Sequence, residues 1–147
     1  MFCKSLGDYQ PSTRLSIPFF LEHVSAGFPS PAEDYVEKTL DLNELCIRHP
    51  AATFFVRVEG ESMIEVGIFP GDVLVVDRSL AAIHGDIIIA SLESEMTVKQ
   101  LHLKPPPIQL LPRNSSYQPI VIEDGMTLEV FGVVTNVVRS LERGGRS

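Results

Sequence analysis

The 147-residue sequence contains no tryptophan and only two cysteines, Cys3 and Cys46. Two cysteines so widely spaced suggest neither a disulfide framework nor a metal-binding pair, and this usage favours a reducing compartment. No apolar run approaches the roughly 18 residues of a membrane-spanning helix, and no basic head followed by an apolar run stands at the N-terminus. We therefore expect a cytoplasmic protein without a membrane partner.

Positive charge is also scarce, since 12 lysine and arginine residues stand against 19 acidic residues, for a net charge of -7. Non-specific attraction to nucleic acid needs a concentrated positive surface, so this charge argues against direct DNA binding. The 44% of hydrophobic residues is nevertheless enough for a buried core. The length suits one domain, or one domain with an arm.

The N-terminal part, residues 1–41, differs from the rest in having no sustained hydrophobic period. Its prolines are spread among polar and aromatic residues, which predicts a flexible and mostly irregular arm. A short helix is predicted over residues 32–40, because Ser30 can cap it and Pro31 suits its first position. The prolines of this part are Pro11, Pro18, Pro29 and Pro31.

Beyond the arm, short apolar runs alternate with glycine, proline and aspartate, which predicts a compact and mainly β domain. Residues 53–58 alternate between apolar and polar side chains, as a half-buried strand does. Residues 73–76 and 87–90 are continuous apolar runs, which are more typical of strands covered on both faces. Seven strands are predicted, over residues 53–58, 72–77, 86–92, 96–103, 108–111, 119–122 and 128–138.

The first candidate for chemistry is Ser62, in the segment Gly60-Glu61-Ser62-Met63 that follows the first predicted strand. A serine in this position is an ordinary turn residue unless a base lies nearby. The sequence has no glycine-rich phosphate loop and no carboxylate constellation, and its histidines have neither a triad context nor metal-ligand spacing. We expect no metal and no organic cofactor. The histidines are His23, His49, His84 and His102.

Lys99 is the candidate base, because it lies inside the predicted strand 96–103. Alternation along the strand puts it on the more apolar face, with Thr97, Leu101 and Leu103. A free lysine, with a pKa of about 10.4, is neutral only about once in 10³ at pH 7.4. Desolvation can lower a lysine pKa by about 3–5 units, and a neutral amine can then take the proton of a serine hydroxyl. The alternative is a surface lysine whose stem alone is covered.

Six short motifs are distributed along nearly the whole chain. They are Ala26-Gly27-Phe-Pro-Ser-Pro31, Gly60-Glu-Ser62-Met63, Gly71-Asp72, His84-Gly85-Asp86, Thr97-Val98-Lys99 and Phe131-Gly132-Val133-Val134. In this order and at this spacing they resemble the LexA/UmuD family of self-cleaving serine peptidases. One departure from the family pattern is Glu65, where aspartate is more usual.

The resemblance implies a LexA-like C-terminal peptidase domain of short, strongly bent strands. This domain, residues 42–147, would also mediate dimerisation, while residues 1–41 would form the arm that carries the self-cleavage site. Ser62 would be the nucleophile, Lys99 the general base, and the bond between Ala26 and Gly27 the one that is cut. Backbone N–H groups near Ser62 would supply the oxyanion hole.

The same resemblance implies partners in the SOS response to DNA damage. A RecA filament on single-stranded DNA would stimulate cleavage, and the shortened homodimer would join a UmuC-type Y-family polymerase in error-prone translesion synthesis. Cleavage would remove an arm of balanced charge and leave 121 residues that carry the whole net charge of -7. About 26 irregular residues cannot supply a helix-turn-helix, so we expect no sequence-specific DNA binding.

Two other functions fit the sequence less well. One is a non-enzymatic dimeric interaction module of a polymerase complex, in which the serine and lysine are vestigial. The other is a processing enzyme similar to signal peptidase, which would need a membrane anchor. The sequence also leaves open whether cleavage occurs within a chain or between partners, because the 35 residues from Gly27 to Ser62 can extend over roughly 100 Å.

Overall fold

The computed structural model describes residues 2–8, 17–20 and 37–142, and the side chains of residues 41–142. Ten strands, one short α-helix and two 3₁₀ turns lie in these residues, which confirms the mainly β class. The strands are β1 (Phe2–Asp8), β2 (Ile17–Phe20), β3 (Glu37–Leu40), β4 (Thr53–Glu59), β5 (Val73–Asp77), β6 (Ile87–Leu92), β7 (Glu95–His102), β8 (Gln109–Leu111), β9 (Ile120–Val121) and β10 (Leu128–Val138). The α-helix, α1, is Leu42–Cys46, and the 3₁₀ turns are Pro50–Ala52 and Ile64–Val66.

Eight of the strands form one sheet in the order β1-β4-β5-β10-β6-β7-β8-β9, with every neighbouring pair antiparallel. All seven predicted strands are present in it, with bounds that agree to within one residue. Between these strands Gly71, Gly85 and Gly125 have positive φ angles of 90°, 94° and 90°, a conformation that glycine adopts without strain. Local turn chemistry and alternation therefore determine most of this sheet.

The last strand, β10, is the centre of the sheet and changes partner along its length. Residues 133–138 pair with β5 and residues 128–133 pair with β6, with a register shift in each ladder. At Gly132 a Cβ atom would lie 2.7 Å from Val76 Cγ1 and 2.9 Å from the Asp77 carbonyl oxygen, so only glycine fits this close approach. The irregularities bend the strand, as β-bulges do, and the sheet curls around the core.

The core consists of two clusters of buried side chains. Ile88 and Ile89 are adjacent in β6 but belong to different clusters, so both faces of this strand are covered, as its continuous apolar run predicts. One cluster contains Phe54, Val56, Val58, Met63, Ile68, Leu74, Val76, Ile89 and Val98. The other contains Ile88, Ala90, Leu101, Leu110 and Val133.

The chain falls into two compact units, Met1–Tyr9 with His49–Ser147, and Gln10–Arg48. In the second unit β2 pairs with β3, and Asp41 caps α1 by accepting a hydrogen bond from the Asn43 N–H at 3.0 Å. No helix among the described residues has the length and apolar content needed to cross a membrane. The boundary expected between residues 41 and 42 stays a prediction.

The predicted helix over residues 32–40 is wrong for its last four residues, which form β3. Four backbone positions of β3 pair with β2, and this pairing prevails over the capping signal at Ser30 and Pro31. Residues 32–36 lie outside the described residues. The strands β1 and β2 were likewise not predicted, because neither carries a clear apolar alternation.

Arg139, just after β10, binds residues 67–72, the connection between the 3₁₀ turn Ile64–Val66 and β5. Its Nε and Nη2 donate to the two carboxylate oxygens of Asp72 at 2.6 and 2.7 Å, and Nη2 also donates to the Gly67 carbonyl at 2.8 Å. The guanidinium lies 4.6 Å from the centre of the Phe69 ring. These contacts connect the end of β10 to the segment that follows Ser62.

The hydrogen bonds from Arg139 lower the pKa of Asp72 below its ordinary value of 3.8, against the opposing effect of burial. A bond from the Phe69 N–H, at 2.8 Å, adds to this lowering. Because the folded state depresses this pKa, the stabilisation is fully present above the unfolded-state pKa. It is lost as the pH falls through the lower folded-state value.

We expect Asp72→Asn to lower the free energy of unfolding by about 1.5–3 kcal/mol at pH 7, since hydrogen bonds to charged groups are lost. Urea unfolding of variant and wild type measures this difference, which should narrow as the pH falls below about 4. The control Asp124→Asn removes an exposed carboxylate and should change stability by less than about 0.5 kcal/mol. If the difference in free energy of unfolding between Asp72→Asn and wild type did not change with pH, the stabilising role of the charged Asp72 would be contradicted.

Candidate active site

Ser62 is fixed in the segment between β4 and the 3₁₀ turn Ile64–Val66. Gly60, with a φ of 87°, reverses the chain after β4, and Ser62 and Met63 then turn inward, each with 0% of its surface exposed. Met63 belongs to the first core cluster and anchors the segment. A small polar residue is thereby held inside the molecule, next to a large apolar one.

Lys99 lies in the middle of β7, opposite Ile88 of β6. Its side chain is 5% exposed, and Leu101, on the same face of β7, is 4% exposed. The inward placement predicted from alternation is therefore present. Val98, on the other face, is fully buried as well, so β7 is covered on both sides at this point.

The two side chains meet although 37 residues separate them in the sequence. Lys99 Nζ lies 3.1 Å from Ser62 Oγ, within hydrogen-bond distance. The same nitrogen donates to Thr97 Oγ1 at 2.7 Å and to the Val98 carbonyl at 3.1 Å. Thr97 was predicted only as a neighbour on the face of Lys99, and the structure adds a contact that orients the amine.

This arrangement has the elements of a nucleophile and its base. A hydroxyl and an amine at this distance share one hydrogen bond, in which an ammonium can only donate and a neutral amine can accept. Burial disfavours the ammonium, because its hydration is lost. A buried serine–lysine pair can therefore move the hydroxyl proton to nitrogen while the oxygen attacks an electrophile.

A cavity of about 250 Å³ lies beside Lys99 in the same unit of the chain. Its lining is a mixture of apolar and hydrogen-bonding groups, which suits a short peptide segment better than a small ion. Apart from Lys99 itself, the lining residues are Leu92, Glu95, Met96, Thr97, Pro112, Tyr117, Gln118 and Ile120. No pattern in the sequence indicates that Pro112, Tyr117 and Gln118, in the irregular segment after β8, line this cavity.

The histidines with described side chains are engaged elsewhere. His49 Nδ1 lies 2.6 Å from Asp77 Oδ2, His84 Nδ1 accepts from the Leu103 N–H at 2.9 Å, and His102 Nε2 lies 2.8 Å from the Pro105 carbonyl oxygen. The described residues include no group of three or more histidine, cysteine, aspartate or glutamate side chains that could hold a metal ion. His23 lies outside the side chains that the structure describes.

Burial raises the pKa of Asp77, but hydrogen bonds from Ser79 and His49 more than offset it, so the pKa lies below its ordinary value. Ser79 supplies both its N–H, at 2.8 Å, and its hydroxyl, at 2.5 Å. This network supports the end of β5 and does not include Ser62.

Comparison with known proteins identifies the family of this chain. The sequence profile of the Peptidase S24-like family matches residues 18–135, which include both Ser62 and Lys99. The chain belongs to the Peptidase S24-like family. The family resemblance predicted from the six motifs is thereby confirmed.

Individual members of the family align over most of the chain. Protein MucA of Salmonella typhimurium is 52% identical over 122 residues, which are 82% of this chain and 83% of that protein. Protein ImpA of Escherichia coli is 48% identical over 122 residues, 82% of each chain. The LexA repressor of Carboxydothermus hydrogenoformans is 37% identical over 131 residues, 88% of this chain but 62% of that protein. These relatives make the chain a UmuD-type member of the LexA/UmuD family.

Of the four predicted site residues in this S24-like chain, the structure brings two together. Ser62 and Lys99 are in contact. Ala26 and Gly27 lie outside the described residues, so the cleavage site stays a prediction.

A buried amine is expected to cost stability, as groups retained for function often do. We expect Lys99→Met, which keeps the volume and removes the charge, to unfold at the same or a higher urea concentration than wild type. The control Leu101→Ala, on the same strand and face, should lower the free energy of unfolding by about 2–5 kcal/mol. A loss of more than about 1 kcal/mol in Lys99→Met would mean that the amine is a stabilising element.

Proposed function

We propose that this chain is a self-cleaving serine endopeptidase of the SOS response to DNA damage. The observation that carries the proposal is the 3.1 Å contact between Lys99 Nζ and Ser62 Oγ, both buried. Membership of the Peptidase S24-like family supports it independently of that geometry. The bond that is cut joins Ala26 to Gly27, where two small residues let an extended strand approach the nucleophile.

In the first step Ser62 Oγ attacks the carbonyl carbon of Ala26, and its proton passes to the neutral amine of Lys99. The tetrahedral oxyanion then collapses, the bond to the Gly27 nitrogen breaks, and Lys99 returns the proton to the leaving amine. Water hydrolyses the acyl-enzyme with Lys99 again as base. The products are the fragment ending at Ala26 and a chain that begins at Gly27.

The oxyanion is stabilised by backbone donors close to the nucleophile. The N–H groups of Ser62 and Met63 have no protein acceptor within the described part of the chain, whereas the Ser62 carbonyl is bonded to the Arg113 N–H at 2.7 Å. Donors that are already oriented stabilise developing charge without reorganisation. No metal or organic cofactor takes part.

Purified full-length protein should cleave itself at alkaline pH, because raising the pH deprotonates Lys99. Below the midpoint the rate should rise about tenfold per pH unit, as for any reaction that needs one deprotonated base. Intact-mass spectrometry measures the release of residues 1–26. Ser62→Ala and Lys99→Ala should release nothing, whereas Lys104→Ala, at an exposed lysine shortly after β7, should behave as wild type. An intact wild-type chain at every pH would favour a non-enzymatic interaction module with a vestigial dyad.

A RecA filament on single-stranded DNA is the proposed stimulus at neutral pH. The filament need not supply a catalytic group, since it can act by stabilising the conformation in which the arm occupies the site. We expect faster release of the same fragment when RecA, single-stranded DNA and a nucleotide are added together than when any one of them is omitted. The filament should release nothing from Ser62→Ala, and cleavage of that variant would reveal a protease other than this chain.

The cleaved protein is proposed to form a homodimer that joins a UmuC-type polymerase in translesion synthesis. The similarity to MucA and ImpA over more than four fifths of the chain supports this assignment. Removal of residues 1–26, whose charges balance, leaves the net charge of -7 on the remaining chain. Because the net charge does not change, the partner recognises the loss of the arm itself.

A further inference from the structure

The segment that follows β8, residues 113–116, binds directly to the residues around Ser62. The Arg113 N–H donates to the Ser62 carbonyl at 2.7 Å, and the Glu65 N–H donates to the Arg113 carbonyl at 2.8 Å. Arg113 is thus held between Ser62 and the 3₁₀ turn that follows it. We call residues 113–116 the clamp.

Two side chains fasten the clamp on either side of Ser62. Asn114 Nδ2 donates to the Glu61 carbonyl at 2.9 Å, and the Ser115 N–H donates to Glu65 Oε2 at 2.7 Å. Asn114 Oδ1 also accepts from the Ser116 N–H at 3.0 Å, which fixes the amide's orientation. The Glu65 side chain thus reaches from the 3₁₀ turn Ile64–Val66 to the clamp.

The clamp determines which way the peptide group after Ser62 faces. A trans peptide is planar, with its carbonyl and N–H pointing in opposite directions. Because the Ser62 carbonyl is bonded to Arg113, the Met63 N–H must point to the other side. A group that holds the clamp therefore orients one of the proposed oxyanion donors.

The clamp also acts on the distance between the dyad atoms. At 3.1 Å, Lys99 Nζ and Ser62 Oγ are near the long end of the range for a good N–H···O bond, so a small shift of Ser62 breaks the contact. The residues on either side of the clamp, Pro112 and Tyr117, line the cavity beside Lys99. One segment thus contacts both the nucleophile and the wall of the cavity.

The geometry points to Glu65 and Asn114 as positioning residues that hold Ser62 and the Met63 N–H in their reactive arrangement through the clamp. The inference rests on the proposed function and extends it to residues whose hydrogen bonds go to the clamp and to Glu61 and not to the dyad atoms. The role of Glu65 is that of an acceptor for the Ser115 N–H, so glutamine can replace it and alanine cannot.

The test compares self-cleavage of the full chain at alkaline pH in wild type, Glu65→Ala and Glu65→Gln. We expect Glu65→Ala to be slower by about ten- to a hundredfold, since small misplacements of reacting groups cost rates of this order. Glu65→Gln should stay within about threefold of wild type. Asn114→Asp, which loses the donor to the Glu61 carbonyl but keeps the acceptor for Ser116, should be slowed as Glu65→Ala is.

Glu93→Ala is the matched control for a general loss of stability. Glu93 Oε1 accepts a hydrogen bond from the Thr127 N–H at 2.9 Å, in a different turn. Its carboxylate therefore makes the same kind of bond to a backbone N–H as that of Glu65, and both side chains are exposed. Its thermal midpoint should fall as much as that of Glu65→Ala, with cleavage unchanged. Equal slowing of both variants, a wild-type rate in Glu65→Ala, or no rescue by glutamine would overturn the inference.

A second readout follows the nucleophile without the peptide substrate. A biotin-linked fluorophosphonate reports the reactivity of Ser62, and its labelling rate should fall in Glu65→Ala and recover in Glu65→Gln. Wild type that neither cleaves itself nor is labelled at Ser62 would reject the proposed function itself. Wild type that does both, beside an equally reactive Glu65→Ala, would reject the role of the clamp alone.

Discussion

The burial of one amine beside one hydroxyl is the constraint on which the rest of the structure depends. Lys99 occupies a strand covered on both faces, where an ammonium loses its hydration and the side-chain nitrogen is hydrogen-bonded to Ser62 Oγ, Thr97 Oγ1 and the Val98 carbonyl. Ser62 reaches it only because Gly60 reverses the chain and Met63 anchors the next residue in the core. Sheet, turn and core cluster thus act together to hold two atoms at a reactive distance.

Much of this could be predicted from the sequence, because the signals are local. Alternation and glycine turns define seven strands, and the face of β7 that carries Leu101 predicts the inward direction of Lys99. The spacing of the motifs identified the family. The strands, the turns and the direction of Lys99 each depend on residues close together in the chain, so they can be recognised in a single sequence.

What could not be predicted depends on contacts between distant parts of the chain. The pairing of Glu37–Leu40 with β2 prevails over a helix signal, and no pattern in residues 113–116 indicates that they bind the segment around Ser62. The orienting contact from Thr97 is an intermediate case, since alternation put it beside Lys99 without assigning it a role. Long-range backbone contacts leave no periodic trace in a sequence.

The central position of β10 makes the site sensitive to changes that lie far from it. In the sheet, Ser62 lies between β4 and β5, whereas β7 carries Lys99, and β10 pairs with β5 on one side and with β6 on the other. The hydrogen bonds of this one strand therefore help to set how the part of the sheet beside the serine is placed against the part that carries the lysine. A larger residue at Gly132, where a Cβ atom would press on Val76 and on the Asp77 carbonyl, would shift the two side chains relative to each other without touching either.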